Sequence, residues 1–344
     1  MNSTLNIRAK EGQKMTLDQL IESYLRACKL QGKTVATLKW YVRRLGHFKA
    51  FVQTQGSAMM AKDLALDDGE RYVIALMEQN HRWPQHPYSP PKAGSLSKFT
   101  VHGHVRAIRA LTNWATLNGY LQEDPFARLP VPKLPKKLIE ILSEEEIEWL
   151  FKAADSLEER GVRVRTILMV LLDTAIRAEE LCGLKMDVVD LDQGTIKVFG
   201  KGQKERIIPL GQATLQELHN YIHYHRPEPA NPNVKEVFLS EDRMPLTYSA
   251  LASIITRIKK RAKIPRLHLH LMRHTSLTMM VERETPAFVV QQMAGHTSIK
   301  TTELYVHLAQ QRTAAQYKKY SVVDGLQSTQ NRRQRGRKAQ SQSQ

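Results

Sequence analysis

The stretch that decides the fold is GTIKVFGKGQKERIIPL, residues 194–210. Two runs of alternating apolar and polar residues, TIKVF and ERIIPL, flank a glycine-rich polar turn. That pattern predicts an antiparallel β-hairpin. Everything around it reads as helix. Upstream, VRVRTILMVLLDT (162–174) is apolar enough for a buried core helix. Before that, LSEEEIEWL (142–150) starts a helix with Ser143 as N-cap and Glu146 completing a capping box. Downstream, helical periodicity runs over Thr214–Tyr224, Tyr248–Ala262, Arg273–Arg283 and Pro286–Ala294, and a polar helix follows Tyr305 to about Tyr320. One hairpin set among helices predicts a mixed α/β domain, mainly α with a small β-sheet, over residues 140–322.

The first third of the chain is all helix. Thr16 caps a run to Lys29 whose Leu17, Leu20, Ile21, Tyr24 and Leu25 share one face. A second helix spans Lys33–Gln55, with Leu38, Val42, Leu45, Phe48 and Val52 in step and Gly56 at its end. Leu64–Gln79 and Ser97–Asn118 are the third and fourth. His81–Gly94 carries Pro84, Pro87, Pro90 and Pro91 and reads as a loop. The grouping is a four-helix domain over residues 15–120. Residues 121–139 hold Pro125, Pro130, Pro132 and Pro135 among Lys133, Lys136 and Lys137, and read as an extended linker. Residues 1–14 are polar and read as flexible. Residues 323–344 are low-complexity and basic, and read as a disordered tail.

The 344 residues carry a net charge of +17, which points to a polyanionic partner, nucleic acid before membrane. No run approaches the ~20 apolar residues of a membrane span. The two cysteines, Cys28 and Cys182, form no framework, and the expected setting is the cytoplasm. On the second helix Lys39, Arg43 and Arg44 cluster off the apolar face, and on the fourth so do His102, Arg106 and Arg109. A charged face on one helix is usually only solvated. Two in one small domain of a strongly basic chain favour contact with DNA grooves and phosphates.

The chemistry-bearing residues lie in TAIRAEELCGL (174–184), the hairpin turn, HLHLMRHT (268–275) and MAGHTSIKTTELYVH (293–307). Arg177 ends the apolar helix and needs a partner there, which Glu180 three residues on can supply. The same guanidinium could grip a phosphate in two-pronged fashion. Lys201 lies in the glycine-flanked turn, where an exposed lysine costs nothing; Lys204 is the alternative candidate. His270 and Arg273 are three apart at a helix start, so they share one side. His274 reads as a packed structural histidine. His268 with His270, and the group His219, His223 and His225, lack the acidic or cysteine partners of a metal site.

Taken in order, Arg177, Lys201, His270, Arg273, His296 and Tyr305 resemble the catalytic set of the tyrosine recombinases, the phage integrase family, in its Xer-like two-domain branch. The likeness spans about Thr16 to about Ala315. It implies an N-terminal SAM-like core-binding domain and a C-terminal catalytic domain that close around double-stranded DNA. It further implies attack by Tyr305, a 3′-phosphotyrosyl intermediate, and Lys201 as proton donor to the leaving 5′-oxygen. Neither metal nor ATP is implied. The partners implied are paired DNA sites, a tetramer assembled on them, and accessory proteins; the setting would be nucleoid-associated. Ala175 and Glu179 stand where the family has glycine and serine. The proline-rich loop and basic tail favour a mobile-element integrase, transposase or resolvase. A type IB topoisomerase-like nicking-closing enzyme and an inactive architectural DNA-binding protein are the alternatives.

Overall fold

The computed structural model describes residues 15–56, 60–79, 81–82, 92–135, 140–200, 205–296 and 298–320. The expectations for residues 1–14 and 323–344, for the turn holding Lys201 and Lys204, and for Lys136 and Lys137 lie outside them. The chain divides into two compact units, Met1–Lys137 and Leu138–Gln344.

The first unit is built on capped amphipathic helices. Helix α1 (Leu17–Leu30) starts where Thr16 and Gln19 exchange side-chain hydrogen bonds of 2.9 and 3.2 Å with each other's amides. Two orphan donors are thereby satisfied. Helix α2 (Val35–Thr54) is capped by Thr34 and begins two residues later than the pattern predicts, and is closed by Gly56 at φ +67°. Helix α3 is Leu66–Glu78, and α4 is Lys98–Leu117 with Ser97 as its cap. Strands β1 (His81–Arg82) and β2 (Lys92–Ala93) pair antiparallel inside the stretch His81–Gly94 that reads as a loop; strands of two residues leave no alternation to read. Leu20, Leu45, Phe48, Val105, Ile108 and Leu111 fill the core between the helices. Each such side chain contributes about 1.5–3 kcal/mol on burial. Val42, expected on the apolar face, is 53% exposed.

The segment read as a linker departs from a spacer at its start. Leu121, Phe126 and Leu129 are buried in the first unit's core. Phe126 meets Phe48 edge-on at 5.6 Å, and its ring lies 2.9 Å from where a Cβ on Gly69 would stand. Asp124 Oδ1 accepts from the Phe126 amide at 2.9 Å, and Arg109 Nη2 donates to the Ala127 carbonyl at 3.1 Å. Proline stiffens this stretch, but the apolar residues between the prolines anchor it.

In the second unit α5 (Glu144–Asp155) starts at the capping box of Ser143 and Glu146. The buried helix α6 (Gly161–Thr174) follows, then the short α7 (Ala178–Cys182). Strands β4 (Thr195–Phe199) and β5 (Glu205–Pro209) form the expected hairpin, with Ile196 opposite Ile208 and Val198 opposite Arg206. A third strand, β3 (Val189–Asp190), pairs antiparallel with β4. Two residues are too few to leave a periodic signal, so it was not legible. Helix α8 (Gln212–Asn220) runs on as a π-helical turn, Tyr221–His225. Then come α9 (Tyr248–Arg261), α10 (Leu269–Glu282), α11 (Ala287–Ala294) and α12 (Ile299–Tyr320). Helix α10 begins before Arg273, with His270 in its first turn. Helix α12 begins before Tyr305, which therefore sits within it. Helix α6 is the axle: Ile167, Leu168 and Val170 are inaccessible, packed with Leu142, Leu150, Phe238, Leu251 and Met272.

Phe126→Ala is expected to destabilise the first unit by about 3–5 kcal/mol, as for a core aromatic. Urea unfolding followed in the full chain measures it. A loss under about 0.5 kcal/mol would return residues 121–129 to the linker.

Candidate active site

Two left-handed corners build the site. Helix α6 ends at Ala175 with φ +53°, and α11 ends at Gly295 with φ +61°. At a helix end the last carbonyls lack intrahelical donors. Arg273, on α10 and 7% exposed, supplies them: Nη1 donates to the Ala175 carbonyl and Nη2 to the Ala294 carbonyl at 2.7 Å. Burial, and then Arg177, push the Arg273 guanidinium down to about 10, so it stays charged at neutral pH. The αL backbone strains Ala175, since a Cβ is disfavoured in that conformation. Its methyl packs with Leu277, Val290, Ala294 and Tyr305, which offsets the strain.

The turn at Ala175 makes Arg177 the N-cap of α7. Glu180, in the first turn of α7, reaches back to the Arg177 amide at 2.8 Å and to its Nη1 at 3.0 Å. The expected Arg177–Glu180 pairing is therefore present. A second partner was not anticipated. Arg206 on β5 grips both Glu180 oxygens at 3.0 and 2.7 Å, and its Nε donates to the Met293 carbonyl at 2.9 Å. Arg177 Nη2 also reaches the Gly295 carbonyl, at 3.4 Å. A Cβ on Gly295 would lie 3.0 Å from the Arg206 guanidinium, so both the αL corner and the space require glycine. Burial opposes the Glu180 charge, but the Arg206 hydrogen bonds and the Arg177 amide outweigh it and hold the carboxyl below its ordinary range. Arg206 had a readable signal. It shares its strand face with the buried Ile208, and an arginine on the inner face of a strand needs an acid.

His296 follows the Gly295 corner. Its Nε2 stands 3.3 Å from Arg273 Nη2 and its Nδ1 3.0 Å from Thr302 Oγ1. A guanidinium only donates, so Nε2 carries the lone pair and Nδ1–H donates to Thr302. Burial first, then Arg273, Arg177 and Arg206, push His296 down to about 4. Tyr305 is 3% exposed, with its ring parallel to His296 at 5.9 Å. Its hydroxyl lies 3.0 Å from His274 Nδ1. Burial raises the phenol above its ordinary range, against the pull of Arg273 and Arg177.

Of the six expected residues, Arg177, Arg273, His296 and Tyr305 converge. His270 is exposed in the first turn of α10, and Lys201 lies outside the described residues. His274, read from sequence as structural, is instead the histidine of α10 that lies beside the phenol. Glu179 is exposed; burial, and after it the Glu179 carboxylate, push the Cys182 thiol up to about 11, so Glu179 lies on the Cys182 side of α7. Among the described residues no group of three or more His, Cys, Asp or Glu side chains could hold a metal.

The family described as "Phage integrase family" matches residues 140–312. Tyrosine recombinase XerD of Staphylococcus haemolyticus is 31% identical over 312 residues, covering 88% of this chain and 99% of that protein.

The chain belongs to the phage integrase family.

It is a site-specific tyrosine recombinase. Its fold is shared with a Tn1549 transposon integrase solved with a circular intermediate DNA (TM-score 0.65, 19% identity, 85% of this chain and 95% of that one). It is shared too with a lambda integrase dimer bound to a core site (TM-score 0.64, 16% identity, 83% and 97%). In the first unit of the recombinase, Lys39, Arg43, Arg106 and Lys133 are exposed and His102 is half-buried. Arg44 lies flat on Trp40, 4.2 Å from the ring centroid, and abuts Gly103. With Arg109 bonded to Ala127, these two arginines are partly committed to packing.

Three guanidiniums gather in this site against one carboxylate, Glu180, which pairs with Arg177 and Arg206 while Arg273 bonds two carbonyls. Inorganic phosphate is therefore expected to raise the second unit's melting midpoint progressively, by linkage to the native state. Thermal unfolding measures it; an Arg177→Ala variant should lose most of the shift. The His296 shift has a signed consequence. An unfolded histidine protonates near 6.5, so as pH falls from about 6.5 to about 4 the unfolded chain binds a proton that His296 refuses. Its contribution is intact above that window, lost across it and flat below. Urea midpoints should fall more steeply there for wild type than for His296→Gln.

Proposed function

We propose that this recombinase cuts double-stranded DNA with Tyr305 and rejoins it through a 3′-phosphotyrosyl intermediate. The observation that carries the reading is the convergence of Arg177, Arg273 and His296 on the Tyr305 phenol. The guanidiniums bind the scissile phosphate and stabilise the pentacoordinate transition state by charge already in place. Glu180 and Arg206 keep Arg177 aimed. His296 contacts a further non-bridging oxygen, which requires a proton on Nε2; phosphate charge replaces the arginines' repulsion and favours it. Tyr305 must turn out of its 3%-exposed seat to reach phosphorus. The phenol oxygen bonds to phosphorus as the 5′-oxygen leaves, and Lys201 protonates that oxygen, with Lys204 as the other candidate. The covalent link keeps the phosphodiester's free energy, so no ATP enters.

Lys39, Arg43, Arg106, His102, Lys133, Lys136 and Lys137 serve as phosphate contacts, with a smaller share for Arg44 and Arg109. Binding weakens steeply with salt through counterion release. The recombinase acts on paired sites as a tetramer, with accessory proteins for direction, in the cytoplasm, on the DNA of a mobile element. Helix α12 is seated at its start on its own unit, through buried Thr302, Tyr305 and Ala309 and the Arg312–Glu282 ion pair of 3.1 Å. In the tetramer the C-terminal helix docks on a neighbouring protomer, and this role falls to the part of α12 beyond that pair.

Tyr305→Phe should bind DNA normally and form no covalent adduct, read on denaturing gels; an adduct in this variant rejects the nucleophile. Arg177→Lys should lose at least ~100-fold in single-turnover cleavage, because an ammonium lacks the two-pronged contact. Lys201→Ala should cut poorly but recover when sulfur replaces the 5′-bridging oxygen, since a thiolate leaves without a proton. Rescue of Lys204→Ala instead moves the acid three residues on.

A further inference from the structure

We propose that Arg44 is the residue with which the first unit reads DNA sequence, its guanidinium donating to the O6 and N7 acceptors of a guanine in the major groove. This rests on the reading that the basic faces of α2 and α4 bind DNA. Arg44 stands where these two helices pack together. On one side its Cζ lies 4.2 Å from the centre of the Trp40 ring. On the other it covers Gly103 of α4, where a Cβ would lie 3.0 Å from Nε and 3.2 Å from Nη2. A long side chain at 103 would take the place of the guanidinium. Its plane is thus set before DNA arrives, and little side-chain entropy remains to be lost on binding.

Packing fixes the plane but takes no donor. Nε is buried without an acceptor, and among the described residues no hydrogen bond or ion pair engages Arg44. The titratable groups that act on it are Arg43 and Tyr72, neither of them a carboxylate. His104, next to Gly103, bonds the Tyr72 hydroxyl through Nδ1 at 2.7 Å. Burial, then Arg44, push its imidazole down to about 4, so it is neutral and adds no repulsion. The place of Arg44 sets it apart from its basic neighbours. Lys39 and Arg43 are exposed along α2, and Arg106 is exposed along α4 with His102 half-buried one turn before it. Long mobile cations suit phosphates, which border a groove and carry no sequence information. A donor held between the two rows faces the base edges that lie between those borders. There the planar fork of Nη1 and Nη2 matches the paired acceptors that guanine presents.

In the test the full chain is bound to a pool of random DNA duplexes, and the bound and free fractions are sequenced. Wild type should fix a guanine at one position of its site. Arg44→Ala should cut the preference for that guanine by at least ~5-fold, leaving the other positions and the salt dependence as they were. Arg43→Ala should instead weaken all sequences alike and lower the salt slope by about one. Gly103→Leu keeps Arg44 in the chain but displaces its guanidinium. Leucine favours helix over glycine, so α4 persists while the guanine preference falls as in Arg44→Ala. Replacing the guanine by 7-deazaguanine removes the N7 acceptor; wild type should lose affinity and Arg44→Ala should not. An Arg44→Ala or Gly103→Leu variant that keeps the full preference overturns the proposal. So does an Arg44→Ala variant that weakens every sequence alike, as a phosphate contact would, or an equal loss by both proteins on 7-deazaguanine. Arg44→Ala selecting as wild type does, while Arg43→Ala binds weakly, removes Arg44 alone. A wild-type chain that selects no sequence, with binding unmoved by Arg43→Ala, removes the groove reading and this proposal together.

Discussion

The Glu180 carboxylate is the constraint on which the site depends. It is nearly buried, with 5% of its side chain exposed, and charged because Arg177 and Arg206 surround it. Those arginines come from α7 and β5, and Arg206 also holds the end of α11. One carboxylate thus sets the distance between the helix with the first phosphate clamp, the hairpin and the corner that carries His296. Removing one partner of such a buried pair costs far more than the pair contributes on balance, because a charge is left unmatched. The site is rigid where a phosphate must be gripped.

The same cluster is short of negative charge. Arg273 has carbonyls for company, and their helix-end dipoles temper its charge without cancelling it. A bound phosphodiester completes an arrangement the protein leaves open. The phenol lies on the opposite side of this balance. Burial holds it protonated, while the arginines favour its anion. Both its retracted seat and its chemistry are therefore tied to whether an anion is present.

Much of the fold could be read from local rules. The caps at Thr16, Ser97 and Ser143 each sit where a short polar side chain precedes an apolar period, and the hairpin obeys strict alternation. What escaped reading depends on tertiary partners. Phe126 is a lone aromatic among prolines, and nothing local says that Gly69 leaves room for its ring. Arg206 lies on the inner face of an alternating strand and so implies an acid, but no local rule says that the acid is Glu180 on another element. The choice between His270 and His274 turns on where α10 begins. The two are one turn apart on the same helix face, and only the packing against α12 separates them.

Gly295 and Arg206 are distant in sequence and have one shared volume. With the guanidinium 3.0 Å from the absent Cβ, neither position can drift by itself. A larger residue at 295 would expel Arg206, and a shorter one at 206 would leave Glu180 half-matched beneath a hole. Across related sequences the two should change together or not at all, with the acid at 180 as the third member of the set. Homologues that have lost recombination would be the place to find that set dissolved while the helices around it remain.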